Sequence, residues 1–94
     1  MEAMKKSIYT VESEEVRRAL REARKGGKLS QRDVAKKLGV SASWVAKVET
    51  GERRIDVVEF GWFIAACGGD VARAFKRMAS LFPSRCSRDG GRSA

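Results

Sequence analysis

The chain has no histidine, a single proline and two cysteines among its 94 residues, and each scarcity excludes something. Without histidine there is no imidazole base or imidazole metal ligand. Cys67 and Cys86 stand 19 residues apart, a spacing that suggests neither a metal site nor a redox pair. Both read as reduced thiols of a cytoplasmic protein. There is no nucleophile elbow, no phosphate loop and no carboxylate pair in apolar surroundings, and Gly26-Gly27 and Gly68-Gly69 read as helix stops. An enzyme is therefore not expected, nor a metal or other cofactor. The longest apolar stretch, residues 60–67, is short and interrupted, so no membrane span is expected. Lys5-Lys6 leads into no apolar run, so no signal peptide is expected either. No segment alternates at period two for long enough to argue a strand, and no repeat is present.

What the sequence does have is charge and helical periodicity. Apolar residues make up 43%, enough for the core of one small domain, and the formal net charge is +8. That balance points to a polyanionic partner, nucleic acid before an anionic membrane. The charge is unevenly placed. Residues 14–55 hold twelve Lys/Arg against six Asp/Glu, whereas residues 56–70 hold three acids and no base.

Five short helices are expected. Residues 1–12 lack helical period and read as an arm. Ser13 is the expected cap of the first helix, with Glu14 and Glu15 in its positive first turn. Val16, Ala19, Leu20 and Ala23 form its buried stripe, with Arg17, Arg18, Arg21 and Arg24 largely around it. Ser30 caps the second helix, whose stripe is Val34, Ala35 and Leu38. Ser41 caps the third, with Val45 and Val48 inward and Gly51 at its end. Asp56 with Glu59 resembles a capping box opening the fourth. Asp70 caps a fifth that carries Val71, Ala74, Phe75, Met78, Ala79 and Phe82 and is closed by Pro83. Residues 13–82 make the domain, and the Gly/Ser/Arg-rich residues 83–94 read as a disordered basic tail.

The break in "SQRDVAKKLGVSASWVAKVETG" carries the functional reading. Two short helices cross steeply only where their axes come close, which asks for a small side chain one turn before the break; Ala35 supplies it. The sharp reversal favours a residue that tolerates positive φ, and Gly39 is one. The second helix of the pair then needs a branched apolar residue pointing back, and Val45 fits, followed by Val48. These are the steric needs of a helix-turn-helix.

With those residues in view, "LREARKGGKLSQRDVAKKLGVSASWVAKVETGERRIDVVEF" resembles the Cro/repressor-type (Xre) helix-turn-helix family of bacterial and phage transcription regulators, over roughly residues 16–82. The elements that carry it are Ser30-Gln31, Gly39-Val40-Ser41 and "KVETGERR"; "MKKSIYT" is similar to the leader of small stand-alone members. The resemblance implies an all-α, five-helix, lambda-repressor-like domain whose third helix, about residues 41–50, lies in the major groove of double-stranded DNA. It also implies that Gln31 contacts a phosphate, and that Arg24 and Glu49 form a structural ion pair bridging the first and third helices. Many members carry a long polar residue just inside the recognition helix, where this chain has Ala42 and Ser43.

Candidate base contacts are Ala42, Ser43, Trp44 and Lys47: Ala42 to a thymine methyl, Ser43 to a base edge and Lys47 to guanine O6/N7 or a phosphate. Trp44 stands one residue off the buried stripe. Its ring either folds against the turn and the second helix or lies along the DNA backbone, and a partly exposed indole does both. Candidate phosphate contacts are Gln31, Arg32, Ser41, Arg53 and Arg54. The fourth helix bears a second apolar stripe, Val58, Trp62 and Ala65, beside a core stripe of Val57, Phe60, Phe63 or Ile64, and Cys67. Either the fifth helix covers the second stripe or it is a homodimer face. The expected function is sequence-specific binding as a transcription regulator, a repressor by preference. The alternatives are an antitoxin-type autorepressor with a small toxin partner and a protein-binding adaptor on the same fold.

Overall fold

A computed structural model of the chain describes residues 10–82, and within them five α-helices each open on a side-chain oxygen that caps the first turn. They are α1 Val11–Gly26, α2 Gln31–Leu38, α3 Ala42–Thr50, α4 Val57–Ala66 and α5 Val71–Ala79. Ser30, Ser41, Asp56 and Asp70 cap α2 to α5 as the sequence reading places them, and Ser30/Asp33 and Asp56/Glu59 close reciprocal capping boxes. Each such cap satisfies an amide that the helix itself leaves without an acceptor.

Two boundaries differ from expectation. The cap of α1 is Thr10, whose Oγ1 accepts from the Ser13 amide at 3.1 Å; Ser13 is the partner of the cap and the helix takes in Val11 and Glu12. At the other end α5 stops at Ala79, short of the expected Phe82, where the Ser80 amide donates back to the Lys76 and Met78 carbonyls; Pro83 lies outside the described residues. Residues 1–9 of the expected arm, and the whole expected tail 83–94 with Cys86, lie outside the described residues.

One core joins the first four helices. Ala19 and Leu20 of α1, Val34 and Ala35 of α2, Val45 and Val48 of α3, and Phe60, Phe63 and Ile64 of α4 are buried together with Cys67. Fully burying a branched or aromatic side chain contributes about 1.5–3 kcal/mol, so this set supplies most of the driving force. Burial pushes the Cys67 thiol above its usual range and the nearby Glu49 charge adds to the effect, so this cysteine is a protonated core residue. Helix α5 is different in kind: none of its residues is fully buried. It lies against α1 and α4 through Phe75, which meets Phe60 edge-to-face at 5.3 Å. Arg77 ties it further, donating to Glu22 at 2.9 Å and Glu15 at 3.4 Å on α1.

Helix α4 corrects the sequence reading in one place and answers it in another. Val57, expected in the core stripe, is 65% exposed because it precedes the turn that reaches α1 and α2. The second stripe is not covered by α5: Val58 is 55% and Trp62 61% exposed, and Ala65 is exposed beside them. What α5 covers is the neighbouring face, where Gly61 lies against Phe75 and Val71.

Two glycines set the ends of the helix pair. Gly39 ends α2 at φ +72° and Gly51 ends α3 at φ +91°, both in the left-handed region. A Cβ on Gly39 would meet nothing within 4 Å, whereas one on Gly51 would come within 3.1–3.2 Å of the Arg17 side chain. Gly39→Ala should therefore cost only the backbone term, about 1–2 kcal/mol, and Gly51→Ala clearly more because Arg17 must also shift. Urea midpoints of the two variants decide it, and equal losses would show that Arg17 moves aside at no cost.

Candidate nucleic-acid interface

The site is assembled by the three-residue connection between α2 and α3. Gly39 turns the chain, with its amide and that of Val40 closing back on the last carbonyls of α2, and Ser41 starts the next helix by accepting from the Trp44 amide at 3.0 Å. Ala35, 4% exposed, lets α3 approach, and Val45, fully buried, fills the space between the two axes. Burial of Val45, Val48 and Glu49 fixes which side of α3 faces inward. The opposite side presents Ser43, Lys47 and Thr50, all exposed, and Ala42, above Val45 and Glu49, is exposed as the first residue of the helix. Three of these are candidate base contacts from the sequence; Thr50 is the addition, one turn beyond Lys47, with its hydroxyl donating to the Lys47 carbonyl at 3.2 Å.

Trp44 is half-buried and packs on the core, while Arg53 lies over its ring with the guanidinium carbon 5.7 Å from the centroid. A cation held on an aromatic face is presented in a narrower set of positions than one on a bare stem. The Arg53 amide also donates to the Lys47 carbonyl at 3.2 Å, which keeps the turn after α3 close to that helix. Arg54 and Arg32 are exposed. Arg32 shares with Arg24, Ser30, Gln31 and Ala42 a shallow depression where the N-termini of α2 and α3 meet. Helix N-termini favour anions, since their first amides lack intrahelical acceptors. At α2 the Ser30 amide and hydroxyl hold the Asp33 carboxyl below its usual range, and Lys36 and Lys37 add to this. The capping box is thus ionised at neutral pH, and its support for α2 is lost only as acid protonates Asp33.

Behind the presented face lies a charged network. Arg24 Nε and Nη2 donate to the two Glu49 carboxylate oxygens at 2.7 and 3.1 Å, so the implied ion pair between α1 and α3 is formed, bidentate, with Glu49 2% exposed. Gln31 Nε2 donates to the same carboxylate at 3.0 Å. The Gln31 side chain is therefore tied to the scaffold, with one amide hydrogen left for another acceptor. Sequence reasoning missed two members on α1. Arg21 Nη1 donates to the Glu49 carbonyl at 2.8 Å, and Arg17, expected on the polar flank, is 8% exposed beneath Gly51 and donates to Glu14 at 2.7 Å. A signal was present: Arg17, Arg21 and Arg24 stand at i, i+4 and i+7, one face of a helix. Glu14, held by Arg17 and Arg21, is kept below the usual carboxylate range.

Among the described residues no group of three or more His, Cys, Asp or Glu is placed to hold a metal ion, and no helix is long and apolar enough to cross a membrane.

A short connection, a left-handed glycine and an outward-facing second helix define a helix-turn-helix, and a family model described as a helix-turn-helix domain matches residues 15–75. A solved structure, an XRE-family like protein from Pseudomonas syringae pv. tomato str. DC3000, is 32% identical, with a TM-score of 0.73 over 81% of this chain and 93% of that one. No curated protein matches. The chain belongs to the Xre-type helix-turn-helix family of DNA-binding transcription regulators.

Proposed function

We propose that this protein binds double-stranded DNA sequence-specifically as a homodimer and represses transcription by occupying its site, with α3 in the major groove. The supporting observation is the division of α3: Val45, Val48 and Glu49 are locked inside, Ser43 and Lys47 stand exposed on the opposite side, and Ala42 is exposed at the N-terminal end. In that groove Lys47 reaches guanine O6/N7, Ser43 a base edge and Ala42 a thymine methyl, with Trp44 along the sugar edge. Gln31, Arg32, Ser41, Arg53 and Arg54 contact phosphates on either side. The exposed Val58, Trp62 and Ala65 stripe on α4 supports a second copy as its cover, and a two-fold dimer reads two half-sites about one helical turn apart. No part of this reading calls on catalysis, a cofactor or a membrane, and the protein acts in the cytoplasm on chromosomal or phage DNA.

The test is selection of bound duplexes from a random pool. Enrichment of a palindrome is expected. Lys47→Ala should change which sites win, whereas Arg53→Ala should weaken all sites alike and lower the salt slope of binding by about one. Equal, sequence-blind losses from both variants would contradict the assigned roles. Copurification of a second small protein on the α4 stripe, with the palindrome still enriched, would make the protein an antitoxin-type autorepressor. Failure to shift any duplex at moderate salt would make it an adaptor.

A further inference from the structure

The geometry points to Arg21 as a positioning residue for sequence discrimination: it sets the rotation of the recognition helix from behind, without touching DNA. The inference rests on the DNA-reading proposal above and concerns how that reading is kept accurate.

Helix α3 is only nine residues long, and its C-terminal turn is held to α1 by contacts of different kinds at one residue. Arg24 grips the Glu49 carboxylate through a fork of 2.7 and 3.1 Å. Arg21 grips the Glu49 backbone carbonyl at 2.8 Å while its other terminal nitrogen donates to Glu14 at 3.2 Å. A side-chain contact alone leaves α3 able to roll about its axis as the Glu49 rotamer adjusts. A backbone contact three residues back along α1 removes that freedom, because carbonyl and carboxylate cannot both stay bonded during a roll. The carbonyl is also where the helix carries its partial negative charge, which a guanidinium stabilises. Arg17 packed under Gly51 closes the turn from the third side.

The consequence is borne at the other face. A roll of about 15° moves an atom at the helix's outer radius of about 6 Å by about 1.5 Å. That exceeds the tolerance of a base-edge hydrogen bond, which is lost well before 3.6 Å. Phosphate contacts are far more forgiving, since attraction between charges falls off gently with distance. Loss of Arg21 should therefore reduce specific binding and leave general DNA affinity nearly intact. Arg18 is a matched control: it carries the same charge on α1 but, among the described residues, pairs with Glu15 and Glu22 of that helix.

The experiment compares Arg21→Gln with Arg18→Gln on two duplexes of equal length, the sequence enriched by the wild type and a scrambled version. All measurements are made at a temperature where each variant keeps the wild-type circular dichroism. The ratio of specific to scrambled affinity should fall about tenfold in Arg21→Gln and stay unchanged in Arg18→Gln, with equal salt slopes. Without DNA, the amides of the last turn of α3 should exchange faster in Arg21→Gln alone. Arg21→Lys keeps the charge but not the fork, and should regain part of the ratio; it also serves if the glutamine variant does not fold. An unchanged ratio, or unchanged exchange, overturns the inference. So does a salt slope lowered by about one in Arg21→Gln alone, which would make the side chain a direct phosphate contact. A wild type indifferent to sequence overturns the DNA-reading proposal, and the exchange arm then decides the clamp by itself.

Discussion

Arg24→Met should remove about 3–5 kcal/mol of stability, towards the lower figure because the Arg24 side chain keeps 14% exposure. The reason lies with the partner left behind. Glu49 is 2% exposed, and without Arg24 the partner its carboxylate keeps among the described residues is the Gln31 amide at 3.0 Å. One neutral donor does not compensate a buried charge. Domains of this size hold about 5–15 kcal/mol in total, so the loss is a large share of it. At about 4–8 °C per kcal/mol, the melting temperature should drop by more than about 10 °C. The double variant Arg24→Met/Glu49→Leu should recover most of that loss, since two apolar groups in this space leave no charge unpaired. Chemical denaturation of the four proteins gives the coupling energy directly. A single-variant loss below about 1 kcal/mol would mean that water reaches Glu49 and that the pair is a surface contact.

The second large effect contrasts neighbours in sequence. Phe63 is fully buried at the centre of the core, and Phe63→Ala should cost about 3–5 kcal/mol through lost contacts and the cavity left behind. Trp62, one residue earlier and 61% exposed, should change the stability of the dilute monomer by no more than about 0.5 kcal/mol when replaced by alanine. Thermal melts at low protein concentration separate the two. If Trp62→Ala destabilises the dilute monomer as much as Phe63→Ala does, the assigned outward face of α4 is wrong. Raising the concentration adds information, because a homodimer face would make the wild-type melt concentration-dependent and the Trp62→Ala melt much less so.

Much of this architecture was readable because its signals are local. Ser30 with Asp33, Ser41, and Asp56 with Glu59 each bond an amide three residues away, so short windows of sequence contain both partners. Gly39 and Gly51 mark the helix ends for the same reason. What was not readable depended on distant chain. Thr10 and Ser13 are both competent caps, and composition does not say which donates and which accepts. The burial of Arg17 depends on Gly51, 34 residues away, lacking a side chain. The contact of Arg21 with a backbone carbonyl leaves no trace in residue identity at position 49. Arg24 with Glu49, 25 residues apart, was accessible only through the family resemblance. On α4, a helix apolar on several sides, sequence could not say which stripe α5 would take; Gly61 decided it by admitting Phe75.

Glu49 is the one acid on α3, and it is turned inward and neutralised from behind. The residues that hold the helix and the residues that face outward are therefore different residues. Side chains at 42, 43 and 47 are exposed, so under the proposed reading of DNA a lineage acquires a new target by changing a few surface letters while position 49 and its arginine stay as they are. Under the same proposal, a graft of outward residues from a relative onto this frame gives a regulator with a chosen address.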